Sequence, residues 1–291
     1  MVDLIHIGSD ALSAAINPLG AELWSLRDRD GRELMTDADP AFWTGHAPIL
    51  FPVVGRPYRK IIRVDGVEYP MAQHGFARTS VFTVVDQASD RVTFRLTDSA
   101  ETRIHYPFAF ALDIMFGMAG VTLSVDVAIH NTGDVALPAS FGFHPAFAWP
   151  LPYGRAKRDH RIVFSADEPD RLCEIGSDGT IAVETRASPL DGRTLHLRDD
   201  LFSNDALVWD DVRSDHVVYG SATGPSLRID FPDTPMLGIW TKPGAHYICV
   251  EPWHGIADPE GFTGDIRDKP GIFEIPVGGE KRIALRVTLV A

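Results

Sequence analysis

Short β-branched and aromatic runs separated by turn-forming residues recur along the whole chain, and this texture constrains its fold more than any other feature. Examples are Val81-Phe82-Thr83-Val84-Val85, Val92-Thr93-Phe94-Arg95-Leu96, and residues 121–129 and 283–290. Runs of this kind read as strands. In Leu123-Ser124-Val125-Asp126-Val127-Ala128-Ile129, apolar and polar residues alternate, which gives a strand one packed and one wetter face. Val64-Asp65-Gly66-Val67 sets Asp-Gly between strand-like flanks, a hairpin signal, and Asn131-Thr132-Gly133-Asp134 closes a long run. Helical signal is scarce. No stretch sustains an i, i+3, i+4, i+7 apolar stripe, and 21 prolines with 25 glycines would interrupt most long helices. The pattern predicts an all-β sandwich of antiparallel sheets.

The 291 residues suffice for one large all-β domain or two average ones. No Pro/Ser linker, low-complexity tract or fixed-period repeat divides them, so a single domain over 1–291 is expected. Residues 153–193 are more polar and richer in Pro, Gly and Asp than their flanks; an ordinary surface excursion is favoured there over a lid or insertion. No run of about 18 apolar residues could span a bilayer. The opening MVDLIHIGSD lacks the basic and apolar regions of a secretory signal, so a cytoplasmic protein is expected. A formal net charge of -13 opposes phosphodiester backbones, which argues against nucleic acid and for a small-molecule substrate. Cys173 and Cys249 lie far apart with no CxxC spacing, and read as free thiols of a reducing compartment. Unpaired sheet edges would allow a homodimer, with nothing to mark which edge.

Four segments embed titratable residues among glycine, proline and aromatics: Gln73-His74-Gly75-Phe76-Ala77-Arg78, Phe141-Gly142-Phe143-His144-Pro145-Ala146-Phe147, His246-Tyr247, and Cys249-Val250-Glu251-Pro252-Trp253-His254-Gly255. A pyranose offers apolar C–H faces to aromatic rings and hydroxyls to directed donors, so sugar pockets mix both types. Histidine can donate or accept a proton near neutral pH, and a glutamate in partly apolar surroundings can be tuned to act as a base. On the residues alone, however, His144 between Phe143 and Pro145 is more often a packing histidine than a catalyst. Trp253, Phe143 and Phe147 suit a core equally well. His246 and His254 have no assigned role, and His6, His105, His130, His160, His196 and His216 have no partner pattern.

Five motifs in series carry a resemblance: Asn17-Pro18-Leu19-Gly20-Ala21-Glu22-Leu23, Phe51-Pro52-Val53-Val54-Gly55-Arg56, His74-Gly75-Phe76-Ala77-Arg78, Gly142-Phe143-His144-Pro145-Ala146-Phe147 and Glu251-Pro252-Trp253. Their order resembles the aldose 1-epimerase (galactose mutarotase-like) family, in particular its HGFAR-containing branch. The resemblance spans residues 17–253 and is thin around 153–200. It implies a β-supersandwich of two large antiparallel sheets, in agreement with the strand pattern. Fold alone does not give function, since the same sandwich serves other carbohydrate enzymes. The resemblance further implies Glu251 as the general base for the anomeric hydroxyl and His144 as the general acid for the ring oxygen. Arg56, His74 and the branch-specific Arg78 would bind substrate. Asp205 aligns best with the substrate-binding aspartate, with Asp210 and Asp211 as alternatives. No metal or other cofactor is needed for this chemistry, and no phosphate loop or metal-ligand spacing is present.

Three activities fit. The first is interconversion of the anomers of a free hexose. The second is the same reaction on a hexose 6-phosphate, with Arg56, Arg78 and Arg59 as guanidinium forks for phosphate. The third is a non-catalytic sugar-binding protein, which would have no use for the Glu251/His144 pair. Arg56 and Arg78 could alternatively be ion-pair partners for the abundant acidic residues.

Overall fold

A computed structural model describes residues 3–291. Strands dominate, and among the described residues there is one α-helix, the four-residue Ala100–Arg103. Its start is closed by Ser99 and Thr102, which exchange side-chain and backbone hydrogen bonds as a capping box. No described helix is long and apolar enough to cross a membrane.

Two large sheets organise the chain. The nine-stranded sheet runs, in spatial order, Thr194–His196, His160–Phe164, His216–Ser221, Ser226–Asp230, Glu280–Val290, Thr122–Asn131, Phe110–Ala119, Arg91–Thr97 and Thr83–Gln87. The eight-stranded sheet runs Ile181–Ala187, Arg171–Ile175, Leu207–Trp209, Met236–Trp240, Tyr247–His254, Phe141–Phe143 and Ile49–Leu50, with Ala146–Ala148 also paired to Tyr247–His254. Every pairing within both sheets is antiparallel. This is the antiparallel supersandwich expected above, and the strand runs read from the sequence fall within it to within a few residues.

Period-two alternation explains how the sheets pack. Along Thr122–Asn131 every second residue is buried. Its Leu123, Val125, Val127 and Ile129 share one continuous core with Leu207, Trp209, Leu237, Ile239, Ile248 and Val250 of the other sheet. The Asp65-Gly66 turn forms as expected, with both residues at positive φ (51° and 79°) between the paired strands Ile61–Val64 and Val67–Pro70. Asn131 ends its strand by accepting from Gly133 N–H while its amide donates to Val135 and Ile275 carbonyls.

Residues 153–193 correct the expectation of a plain surface excursion. They supply His160–Phe164 to the nine-stranded sheet and Arg171–Ile175 and Ile181–Ala187 to the eight-stranded one. Their Pro, Gly and Asp residues fall largely in the turns between these strands, which is why the composition reads as a loop.

Candidate active site

The strand Tyr247–His254 is buried along nearly its whole length, so both its faces must be covered. Ile248 and Val250 point into the core between the sheets, while Cys249 and Trp253 pack in separate apolar clusters on the opposite face. Glu251 is on that second face by the same alternation. Phe141–Phe143 and Ala146–Ala148 both pair with this strand in one continuous register, Gly142 opposite Trp253 and Ala146 opposite Cys249. The two residues between them, His144 and Pro145, therefore fall opposite Glu251 and Val250. Here Val250 N–H donates to the Pro145 carbonyl at 3.2 Å. The result is a contact of 3.1 Å between His144 Nε2 and Glu251 Oε2.

His74 approaches from the loop over Phe51. It takes a positive φ of 66°, followed by Gly75 at 72°. A β-carbon at Gly75 would stand 2.1 Å from the Phe51 carbonyl oxygen, which itself accepts from the Phe76 and Ala77 amides. Only glycine allows that approach. His74 and Gly55 then lock together: His74 N–H donates to the Gly55 carbonyl at 2.9 Å, and Gly55 N–H donates to His74 Nδ1 at 3.1 Å. Because Nδ1 accepts, the neutral ring carries its proton on Nε2. Arg56, next in the chain, donates from Nη1 to the Asp178 carbonyl at 2.8 Å. Asp205 also takes a positive φ, 70°, and accepts from the Ala206 amide at 2.8 Å.

These side chains surround one cleft of about 320 Å³, floored by Trp253 and walled by Trp43, Trp240, Ile175, Gly179 and Ile181. The Trp253 indole lies across Gly142 and Gly238 on the flanking strands, where a β-carbon would come within 2.6 and 2.5 Å of it. Trp43 stands 5.0 Å from the His144 ring and edge-on to Trp240. A cleft with aromatic walls and convergent polar groups has the character of a small-ligand site.

Burial sets the electrostatics. Loss of water pushes the Glu251 carboxyl well above the usual carboxylate range, and the nearby Asp205 charge raises it further. The same desolvation pushes His144 down to about 3, with Arg78 adding to the effect. His74 is held neutral by desolvation first and then by His144, Arg78 and Lys269. At this buried position the Glu251/His144 pair thus favours a form in which neither group is charged.

A sequence-family description named Aldose 1-epimerase matches residues 3–261. The chain belongs to the aldose 1-epimerase family. Protein LacX (plasmid) of Lactococcus lactis subsp. lactis is 31% identical over 284 residues, covering 93% of this chain and 94% of LacX. A galactose mutarotase-like protein from Lactobacillus casei ATCC 334 superposes with a TM-score of 0.92 at 31% identity, covering 99% of this chain and all (100%) of that one. The galactose mutarotase related enzyme from Lactobacillus acidophilus gives 0.91 at 30% identity, covering 99% and 97%.

In this aldose 1-epimerase family member, all six residues expected at the site, His144, Glu251, Arg56, His74, Arg78 and Asp205, line the same cleft. Asp210 and Asp211 do not; Asp210 lies against the Cys173 thiol. Arg59 stacks on Tyr58 in a neighbouring hollow that shares Arg56 with the cleft. Phe143 and Phe147 are core residues, whereas Trp253 faces the site. His246 is exposed near Asp37, and His254 is held by the Gly271 carbonyl. Reading the sequence misses Trp43 and Trp240. Trp240 continues the alternation of Met236–Trp240 onto the face shared with Gly238, a usable signal; Trp43 sits in a loop with no periodicity to mark it.

Proposed function

We propose that the protein is an aldose 1-epimerase acting on a free hexose, with Glu251 as general base and His144 as general acid. The observation that carries this reading is the 3.1 Å approach of His144 Nε2 to Glu251 Oε2 at the wall of a monosaccharide-sized cleft. A cyclic hemiacetal bears its hydroxyl oxygen and its ring oxygen on one carbon. One proton must leave the first while another reaches the second, and a base and an acid side by side suit that geometry. Glu251 takes the O1 proton, His144 gives its Nε2 proton to the ring oxygen, and the C1–O5 bond breaks to give the open aldehyde. Rotation about C1–C2 presents the other carbonyl face, and both protons return for closure. Arg56, His74, Arg78 and Asp205 hold the sugar hydroxyls, and the proton traffic needs no cofactor.

Burial bears on the protonation states this cycle uses. Ring opening converts a carboxylate and an imidazolium into a carboxylic acid and a neutral imidazole. The desolvation that raises Glu251 and lowers His144 favours the second state. The charged pair that begins the step is therefore the disfavoured form of the empty site, and ring opening returns it to the uncharged form.

A second reading, the same reaction on a hexose 6-phosphate, is favoured by one observation: among the described residues neither Arg56 nor Arg78 is in an ion pair, and both face the cleft. NMR of anomer exchange with α-D-glucose, α-D-galactose and glucose 6-phosphate tests both. Acceleration of a free hexose supports the first reading, and acceleration of the phosphate alone replaces it with the second. No acceleration of any overturns the assignment as an epimerase of these hexoses.

A further inference from the structure

The alternation that turns Glu251 toward the cleft turns Cys249, two residues earlier on the same strand, the same way. Its thiol, a ring nitrogen of His144 and a Glu251 carboxylate oxygen all lie within 4.8 Å of one another, and all three residues are buried. Neither the catalytic cycle above nor the cleft lining uses Cys249, which packs beneath the Trp43 and Trp240 walls with Tyr247 and Ala245.

We infer that this trio is an inhibitory site for a thiophilic divalent cation, Zn2+ or Cd2+, ligated by His144 Nε2, Cys249 Sγ and Glu251 with the fourth position open to the cleft. The donor set is one that Zn2+ accepts, and ligand atoms around a tetrahedral Zn2+ stand about 3–4 Å apart given bonds of about 2.0–2.3 Å. The His144–Glu251 separation of 3.1 Å already matches, and the thiol lies within 4.8 Å of both donors. Charge balance favours the ion. A dry pocket accepts a divalent cation only with compensation on the spot, and one thiolate plus one carboxylate makes the site electroneutral. The thiol proton and the proton shared by His144 and Glu251 leave to solvent as the metal enters. Mg2+ and Ca2+ are excluded by the same donors, since they require several oxygens. A bound ion would occupy both proton-transfer groups at once and so block the reaction competitively with sugar.

This rests in part on the proposed function, so the test reads binding and activity separately. Cd2+ is titrated into the purified wild-type protein and its C173A, C249A and C249S variants, following the ultraviolet thiolate-to-cadmium band. One equivalent should develop the band in wild type and C173A and none in the Cys249 variants, and the sugar substrate should displace it. Mutarotation should be inhibited by Zn2+ but not by Mg2+ at equal concentration. The Zn2+ inhibition constant should rise by at least about tenfold in C249A, the scale on which lost metal-site contacts are felt, with basal turnover retained. A band that survives C249A, vanishes in C173A, or never forms overturns the site, as does equal Zn2+ inhibition of wild type and C249A. If C249A fails to fold, C249S keeps the side-chain volume and serves the same comparison. If no sugar is turned over, the function proposal fails while the cadmium band still decides the metal site.

Discussion

Replacing Lys269 by Met removes one half of a buried ion pair that lies directly behind the site. The Lys269 and Asp258 side chains are 1% and 4% exposed, with Nζ 3.0 Å from Oδ1. Lys269 also donates to the Val54 carbonyl at 3.2 Å, and Asp258 accepts from Tyr58 N–H at 2.8 Å through its other oxygen. Methionine fills nearly the same volume, so packing changes little and the cost is electrostatic. Asp258 is left buried with one neutral donor, and removing one partner of such a pair costs about 3–5 kcal/mol. At roughly 2–4 °C per kcal/mol, the melting temperature should fall by about 6–20 °C. Urea unfolding at neutral pH measures this. The double variant K269M/D258L should recover part of the loss, because no charge is then stranded, although Tyr58 N–H still lacks its acceptor. There is a functional readout as well. The pair anchors both ends of the backbone from Val54 to Tyr58, and Asp258 N–H also holds the Arg56 carbonyl at 3.0 Å, so K269M should raise KM more than it lowers kcat. A loss below about 1 kcal/mol, or a double variant no more stable than K269M, would refute the view that this pair is a desolvated, mutually dependent unit.

Three further outcomes are expected. Glu251→Gln keeps the shape of the side chain and removes the base, so kcat should fall by about 10²–10⁴-fold while sugar binding measured by calorimetry changes little; an undiminished rate would reassign the base. Gly75→Ala forces a β-carbon to 2.1 Å from the Phe51 carbonyl at a φ of +72°, and should cost at least about 2 kcal/mol with loss of kcat/KM as His74 shifts; wild-type unfolding would contradict the assigned close approach. Stability should also decline as pH falls below the ordinary histidine pKa of about 6.5. His160 accepts from Leu151 N–H at Nε2 and is lowered by burial, as are His46, His74, His144 and His254. The unfolded chain binds protons in that window that the folded one refuses, so the contribution is complete above 6.5 and lost as pH falls through the folded values. His160→Gln should flatten the slope of melting temperature against pH; an unchanged slope would exclude His160 from it.

The parts of this molecule that alternate were legible in the sequence. The period-two pattern of residues 121–129 and 283–290 corresponds to Thr122–Asn131 and Glu280–Val290, neighbours in the nine-stranded sheet, because one-sided burial writes itself into every second residue. The same rule places Glu251 and Trp253 on the face opposite Ile248 and Val250. What alternation could not reveal was contact between distant segments. His144 looked as much like packing as chemistry because its meaning depends on the register that sets it against Glu251, a property of paired strands and not of either one. The order of five motifs compensated, since each proves to brace the site from a different element. In the first, Gly20 meets the Arg78 backbone and Glu22 accepts from the His46 and Ala47 amides in the loop after Trp43. In the second and third, Gly55 and Gly75 permit the two close backbone approaches that bring Arg56 and His74 inward. Residues 153–193 hide their strands for the opposite reason: these end in turns rich in Gly, Pro and Asp, so local composition outweighs a pairing that only the rest of the sheet supplies. Cys249 stood in plain sight, two residues from Glu251, and acquires chemical meaning only once the strand brings His144 within reach of both.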